Sequence, residues 1–193
     1  MYNGMYHVIT SSPNNDGLTA AAGQAAIDGI KSAGGSVELI DISDPAQKLE
    51  ACRVCGDGWG TCRNTAKCVI EDRILDKIQL TIKDSKGVFI ITPVYFGQPS
   101  ERMKYFIDRY RRCEAFRQGG SWAAGKQFNL VAAAGGSGNG TAPCLVELEN
   151  WTRQVGAIPQ ERIGITRFNR EAVLKVIEDA GARLAKGEYF AGF

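Results

Sequence analysis

The chain has 193 residues, a length that suits one domain around a single core. With 44% hydrophobic and 23% charged residues and a net charge of +2, it is ordinary for a globular protein. It is too weakly basic to argue for a nucleic-acid partner, and its pI near 8.2 counts against a strongly acidic electron carrier. No apolar run approaches the ~20 residues needed to span a bilayer. Residues 1–10 carry no basic leader and no cleavage pattern, so a cytoplasmic protein without a membrane partner is expected. In that compartment clustered cysteines are thiols or metal ligands rather than disulfides.

Apolar runs alternate with helical periodicity. Residues 6–11 predict a first strand, which contains the one histidine, His7, read as a buried strand residue. Catalysis by a histidine base is thereby disfavoured, and no side chain is assigned a catalytic role; a cofactor would carry the chemistry. Residues 18–33 predict an Ala-rich helix with Leu18, Ala22, Ala25, Ala26, Ile30 and Ala33 on one face, stopped by Gly34-Gly35. Residues 36–42 predict a second strand, followed by an irregular cysteine-rich loop at about 51–69. A helix is expected over 71–84 and a strand, buried on both faces, over 86–92. Residues 100–116 predict a helix with Met103, Phe106, Ile107, Tyr110 and Cys113 on its apolar stripe. The Arg109–Arg112 run on it reads as a solvated face, with an added phosphate of a nucleotide as the alternative. A strand at 127–134, a helix at 143–156, a strand at 157–165 and a helix at 169–186 complete the chain. There is no repeat or linker, so residues 1–193 are expected to form one domain.

Five strands alternating with helices imply right-handed crossovers and a parallel sheet covered by helices on both faces. The doubly wound, flavodoxin-like order 2-1-3-4-5 follows, with a ligand beyond the carboxyl ends of the strands near the switch point. Three loops fall on that edge. Residues 11–19, S-S-P-N-N-D-G-L-T, offer the hydroxyls of Ser11, Ser12 and Thr19, a turn at Gly17, and free N–H groups near Leu18 and Thr19. That set suits a phosphate dianion, and it also suits a helix cap alone. Residues 92–100, T-P-V-Y-F-G-Q-P-S, form a stiff apolar turn fit for a flat ring, or simply a turn with core aromatics. Residues 134–141, A-G-G-S-G-N-G-T, let the backbone approach a ligand closely, or form a plain mobile loop. They are not a dinucleotide fingerprint, and no phosphate-binding G-x-x-x-x-G-K-[ST] loop is present.

The remaining motif is Cys52, Cys55, Cys62 and Cys68, with gaps of two, six and five residues. It is a redox or metal device, or the remnant of one. Gly56, Gly58 and Gly60 let the loop fold back on itself. Cys113 and Cys144 fall on helical stripes and are expected in the core.

The three loops in order resemble those of the NAD(P)H-dependent FMN reductases of the flavodoxin-like superfamily, in particular their iron–sulfur flavoprotein branch. Ser12, Pro13, Gly17 and Thr19 match the family's G-S-P-R-x-x-G-x-T pattern, while Ser11 replaces its glycine and Asn14 its arginine. The resemblance implies that Ser12, Leu18 and Thr19 hold an FMN phosphate, with Ser11 and Asn14 nearby. Pro93, Val94, Tyr95, Phe96 and Gly97 would line the ribityl chain and ring, and Gly135, Gly136, Ser137 and Gly138 would close over the ring edge. It further implies NAD(P)H as co-substrate, a small-molecule or protein electron acceptor, and a homodimer or homotetramer with Trp59, Tyr95 and Phe96 near subunit boundaries. The alternative is a non-enzymatic flavin or iron–sulfur carrier or redox-sensing module. The branch's usual cysteine motif is C-x2-C-x2-C, so the six-residue gap here departs from it. Four such thiolates can hold a [4Fe–4S] cluster or a zinc ion, or remain thiols.

Overall fold

The computed structural model describes residues 5–72 and 74–189. Its strands are β1 (Met5–Thr10), β2 (Ser36–Asp41), β3 (Gly87–Tyr95), β4 (Gln98–Pro99), β5 (Gln127–Ala134) and β6 (Ile158–Thr166). Its helices are α1 (Leu18–Ser32), α2 (Cys62–Thr65), α3 (Ile74–Asp84), α4 (Glu101–Glu114), α5 (Thr141–Gln154) and α6 (Arg170–Lys186). Five strands pair in parallel in the order β2-β1-β3-β5-β6, which is the expected doubly wound order with its last two strands renumbered. The sixth, β4, was not expected. The third strand runs on to Tyr95, turns at Phe96 and Gly97, and pairs back as Val94 with Pro99 and Tyr95 with Gln98. The cysteine segment, expected to be irregular throughout, carries the single-turn helix α2. No helix among the described residues is long and apolar enough to cross a membrane.

Register explains the unbroken apolar runs. Ile40, Ile9, Ile90 and Leu130 lie side by side across four strands and face α3, α4 and α5. Their neighbours Val8, Phe89, Ile91 and Val131 face the opposite way, into α1 and α6. Both faces are buried, so alternation with polar residues is lost, as a covered parallel sheet requires. Cys113 and Cys144 are in the core as expected, and burial pushes the Cys144 thiol up to about 12.

Helices α1 and α6 cross unusually closely. A Cβ on Gly29 would lie 1.9 Å from the Glu178 carbonyl oxygen, and one on Gly181 would lie 2.7 Å from that of Ala26. The small residues of α1 therefore serve backbone approach. Gly→Ala in a helix normally stabilises by roughly 0.5–1 kcal/mol. Here the clash with backbone reverses the sign, and Gly29→Ala is expected to cost about 1–3 kcal/mol in chemical denaturation.

His7 is buried in β1, and its Nδ1 has no hydrogen-bond partner. Burial lowers its pKa, with Glu38 and Asp84 opposing. The unfolded chain therefore takes up the proton first. Stability is full above about pH 6.5 and falls on acidification below it, until native His7 also protonates. Denaturant midpoints measured from about pH 7.5 down to 5 are expected to show this slope. His7→Gln should flatten it, and the single imidazole resonance should titrate below the free-histidine value.

Candidate functional site at the carboxyl edge of the sheet

The loop after β1 leads into α1, whose N-cap, Gly17, makes no side-chain hydrogen bond. The first intrahelical bond is from Ala21 N–H to the Gly17 carbonyl, so the N–H groups of Leu18, Thr19 and Ala20 have no partner among the described residues. Thr19 is buried, and its hydroxyl has no protein partner among the described residues. Ser12 Oγ instead accepts the Asn14 N–H at 3.2 Å, fixing the turn. Ser43, from the loop after β2, donates to the Ser12 carbonyl at 2.5 Å.

Ser11 has a different role. Its fully buried hydroxyl donates to Thr92 Oγ1 at 3.0 Å and receives Ser100 Oγ at 2.8 Å. The Ser100 N–H completes the triangle on Thr92 Oγ1 at 3.0 Å. Ser11 therefore ties the first loop to the second and holds its hydroxyl within the protein.

Pro93 and Val94 are half-buried at the end of β3, while Tyr95 and Phe96 are exposed. Phe96 has φ 51° and Gly97 φ 79°, so an aromatic residue is held in the left-handed region at a tight hairpin. Such strain concentrates at functional sites. The third loop reaches this turn: a Cβ on Gly140 would sit 2.7 Å from Val94 Cγ1 and 3.0 Å from the Gly97 backbone. Gly135, Gly136 and Ser137 are exposed, and Gly138 packs under Thr166. The structure thus joins the second and third loops and adds the segment after β6, with exposed Phe168, which the sequence did not suggest.

An open cleft of about 520 Å³ adjoins the first loop, lined by Ser12, Asn14, Asp16, Thr19, Leu39 and Asp41 among others. No residue of the second or third loop lines it. Its carboxylates, Asp16 and Asp41, disfavour an anion. Ser12, Thr19 and the start of α1 border this cleft, so a phosphate would sit at its α1 end, toward the switch point between β1 and β3.

The four cysteines Cys52, Cys55, Cys62 and Cys68 line one small cavity of about 20 Å³, together with Arg109 and Arg112. All four are half-buried free thiols. Among the described residues no three His, Cys, Asp or Glu side chains converge tightly enough for a single metal ion. Four thiols around one cavity are the donor set of an iron–sulfur group or of zinc, and the free volume between them is about that of one water molecule. Two further observations fit an anionic, acceptor-rich group there. Arg112 Nε is buried with no acceptor. A Cβ on Gly60 would lie 2.9 Å from the Cys55 Cβ, so the loop closes around that cysteine.

The expectation of a solvated arginine face fails at Arg109. It is 1% exposed, ion-paired with buried Asp72, and 3.4 Å from Cys68 Sγ through Nε. Burial opposes its charge, and the bonds to Asp72 and Cys68 outweigh that. The available signal was spacing: Arg109 follows Phe106 by three and precedes Cys113 by four, on the core stripe itself. Trp59, expected near a subunit boundary, packs within the chain against Phe116 at 5.0 Å and under Arg112.

With this geometry in hand, comparison with known proteins is direct. A model of the NADPH-dependent FMN reductase family matches residues 6–166. An iron–sulfur flavoprotein of Methanocaldococcus jannaschii is 32% identical over 103 residues, which are 53% of this chain and 50% of that protein. One from Archaeoglobus fulgidus is 32% identical over 101 residues, 52% of this chain and 43% of the relative. The matched part thus spans about half the length of these curated relatives. Among solved structures, an NAD(P)H:quinone oxidoreductase from Methanothermobacter marburgensis superposes with a TM-score of 0.68 at 15% identity, covering 94% of this chain and 97% of that one. A flavodoxin from the domain Archaea gives 0.62 at 15% identity, covering 95% and 98%. These two likenesses show the flavodoxin-like fold. The family match spans the sheet and all three loops, and the chain belongs to the NADPH-dependent FMN reductase family.

Proposed function

We propose that the chain is an FMN-dependent oxidoreductase that draws electrons from NAD(P)H and delivers them to an acceptor, with a [4Fe–4S] cluster held by Cys52, Cys55, Cys62 and Cys68. The observation that carries the reading is the uncapped start of α1, with the free Thr19 hydroxyl, on a first loop that Ser11 ties to Thr92 and Ser100 of the second. FMN, when bound, supplies hydride chemistry toward the nicotinamide and one-electron chemistry toward the acceptor, and a cluster supplies one-electron transfer.

The protein's own work is placement. The N–H groups of Leu18 and Thr19, with the Thr19 hydroxyl, hold the phosphate, and Ser12 and Asn14, hydrogen-bonded to each other, stand at its rim. Ser11 acts from below, locking the first loop to β3 and α4. Pro93 to Gly97 give the ring a stiff apolar wall, and Gly135 to Gly138 bring backbone donors to its polar edge. Among the described residues no second phosphate-binding loop is present for the adenylate of FAD, which supports FMN as the flavin form. The exposed Tyr95, Phe96 and Phe168 beside the loops suit a subunit boundary, which supports a homodimer or homotetramer. The chain's uneven cysteine spacing is compatible with the cluster because α2 takes up part of the five-residue gap and Gly56, Gly58 and Gly60 let the six-residue gap fold back.

Anaerobic purification followed by a visible spectrum, flavin extraction and iron and sulfide analysis tests the proposal. Expected are FMN near one per chain and about four irons, in a particle larger than the 20.9 kDa monomer by light scattering. Extracted FAD, a colourless protein or failure to oxidise NAD(P)H would overturn the corresponding part. Thr19→Ala removes a charge-assisted hydrogen bond of about 1.5–3 kcal/mol and should weaken FMN binding roughly 10- to 150-fold in fluorescence titration. Cys55→Ser should lose the iron and keep the flavin.

A further inference from the structure

We propose that Arg109 is a positioning residue of the cysteine site: it fixes Cys68 as a ligand and raises the reduction potential of the cluster through an N–H···S hydrogen bond. The inference rests on the cluster reading above and concerns what sets that site's shape and electronics.

One guanidinium clasps both ends of the cysteine segment. Nε donates to Cys68 Sγ at 3.4 Å. Nη1 donates to the Glu50 carbonyl at 3.2 Å, two residues before Cys52, and also reaches the Asp72 carboxylate. Nη2 donates to the Ile70 carbonyl at 3.4 Å, two residues after Cys68. The donors of a planar fork are therefore spent on residues 50, 68, 70 and 72. Lysine can meet Asp72 as a point charge but cannot reproduce the fork. The Asp72 side chain is itself buried, so the pair places no large net charge beside the thiols. What remains aimed at the sulfur is the oriented Nε–H.

Reduction of the cluster by one electron adds one negative charge to the site and breaks no bond. A donor directed at a ligating sulfur stabilises that added charge and moves the couple to a higher potential. A merely structural ion pair would hold the loop without moving the couple. The two roles therefore separate experimentally.

The test compares wild type, Arg109→Lys, and the double variant Arg109→Met with Asp72→Asn, which avoids leaving an unpaired buried carboxylate. Each is expressed anaerobically, assayed for iron and FMN, and titrated with dithionite while the cluster is followed by electron paramagnetic resonance. Expected are retained iron and FMN, a cluster midpoint that moves to more negative potential in both variants, and an unmoved flavin midpoint. Iron lost from Arg109→Lys, with flavin content and the thermal melt unchanged, also supports the positioning of Cys68. Full iron with an unmoved cluster midpoint overturns the proposal and leaves the cluster reading intact. Loss of iron and flavin together from Arg109→Lys overturns a role specific to the cysteine site. Wild type holding FMN but no iron overturns the cluster reading and this proposal with it. Should the double variant not fold, Arg109→Lys carries the same comparison.

Discussion

The anchoring of α4 decides the shape of both candidate sites. At its N-cap, Ser100 Oγ accepts the Met103 N–H and donates to Ser11, while the Ser100 N–H bonds Thr92. Those three buried groups come from the ends of β1 and β3 and from the start of the helix. The strands of a covered parallel sheet leave only loops free at the carboxyl edge, and loops need such fixing to hold a ligand in one place. About two and a half turns later the same helix presents Arg109 to the cysteine segment, and Glu114 at its end, with Arg117 three residues beyond, reaches that segment's other support. Gln79 and Arg117 donate to the Ala66 carbonyl, and both bond the buried Glu114 carboxylate.

Ser100 and Arg109 are nine residues apart, which places their backbones about 14 Å apart along the helix axis. The first two carboxyl-edge loops and the cysteine cavity are therefore held on one rigid rod. Its apolar stripe of Met103, Phe106, Ile107 and Tyr110 is packed on the sheet and on Trp151. A two-cofactor arrangement gains from this, because packing fixes the distance between the sites without a hinge between them.

Most of the fold was legible because it is written in local pattern. The strand at 127–134 has the bounds of its apolar run, and the switch-point loops were recognisable from hydroxyls and glycines in sequence. The alanines of α1 gave a helix, although their partner, the backbone of α6, could not be seen in that pattern. What stayed hidden depends on pairing over long separations. Arg109 lies 37 residues from Asp72 and 41 from Cys68, so nothing near it announces a buried cation. Ser11 looked like a phosphate donor because its hydroxyl was counted without Thr92 and Ser100, more than eighty residues away. The two-residue strand β4 is too short for any period to show it.

The cysteine loop carries strain at one further place. Val54, between the first two cysteines, has φ 48°, in a region that β-branched residues rarely enter. Such a conformation costs of order 1–3 kcal/mol and persists only where the surroundings over-determine it. Here the surroundings are the guanidinium clasp on Glu50, Cys68 and Ile70, the bonds to the Ala66 carbonyl, and the Arg112 contact to the Gly58 carbonyl. All of them come from α3, α4 and Arg117 just beyond α4, outside the loop. The turn that brings Cys52 and Cys55 to the same cavity is thus imposed by the protein's own core. That is how four cysteines with unequal gaps come to line one cavity: buried side chains hold each part of the loop separately.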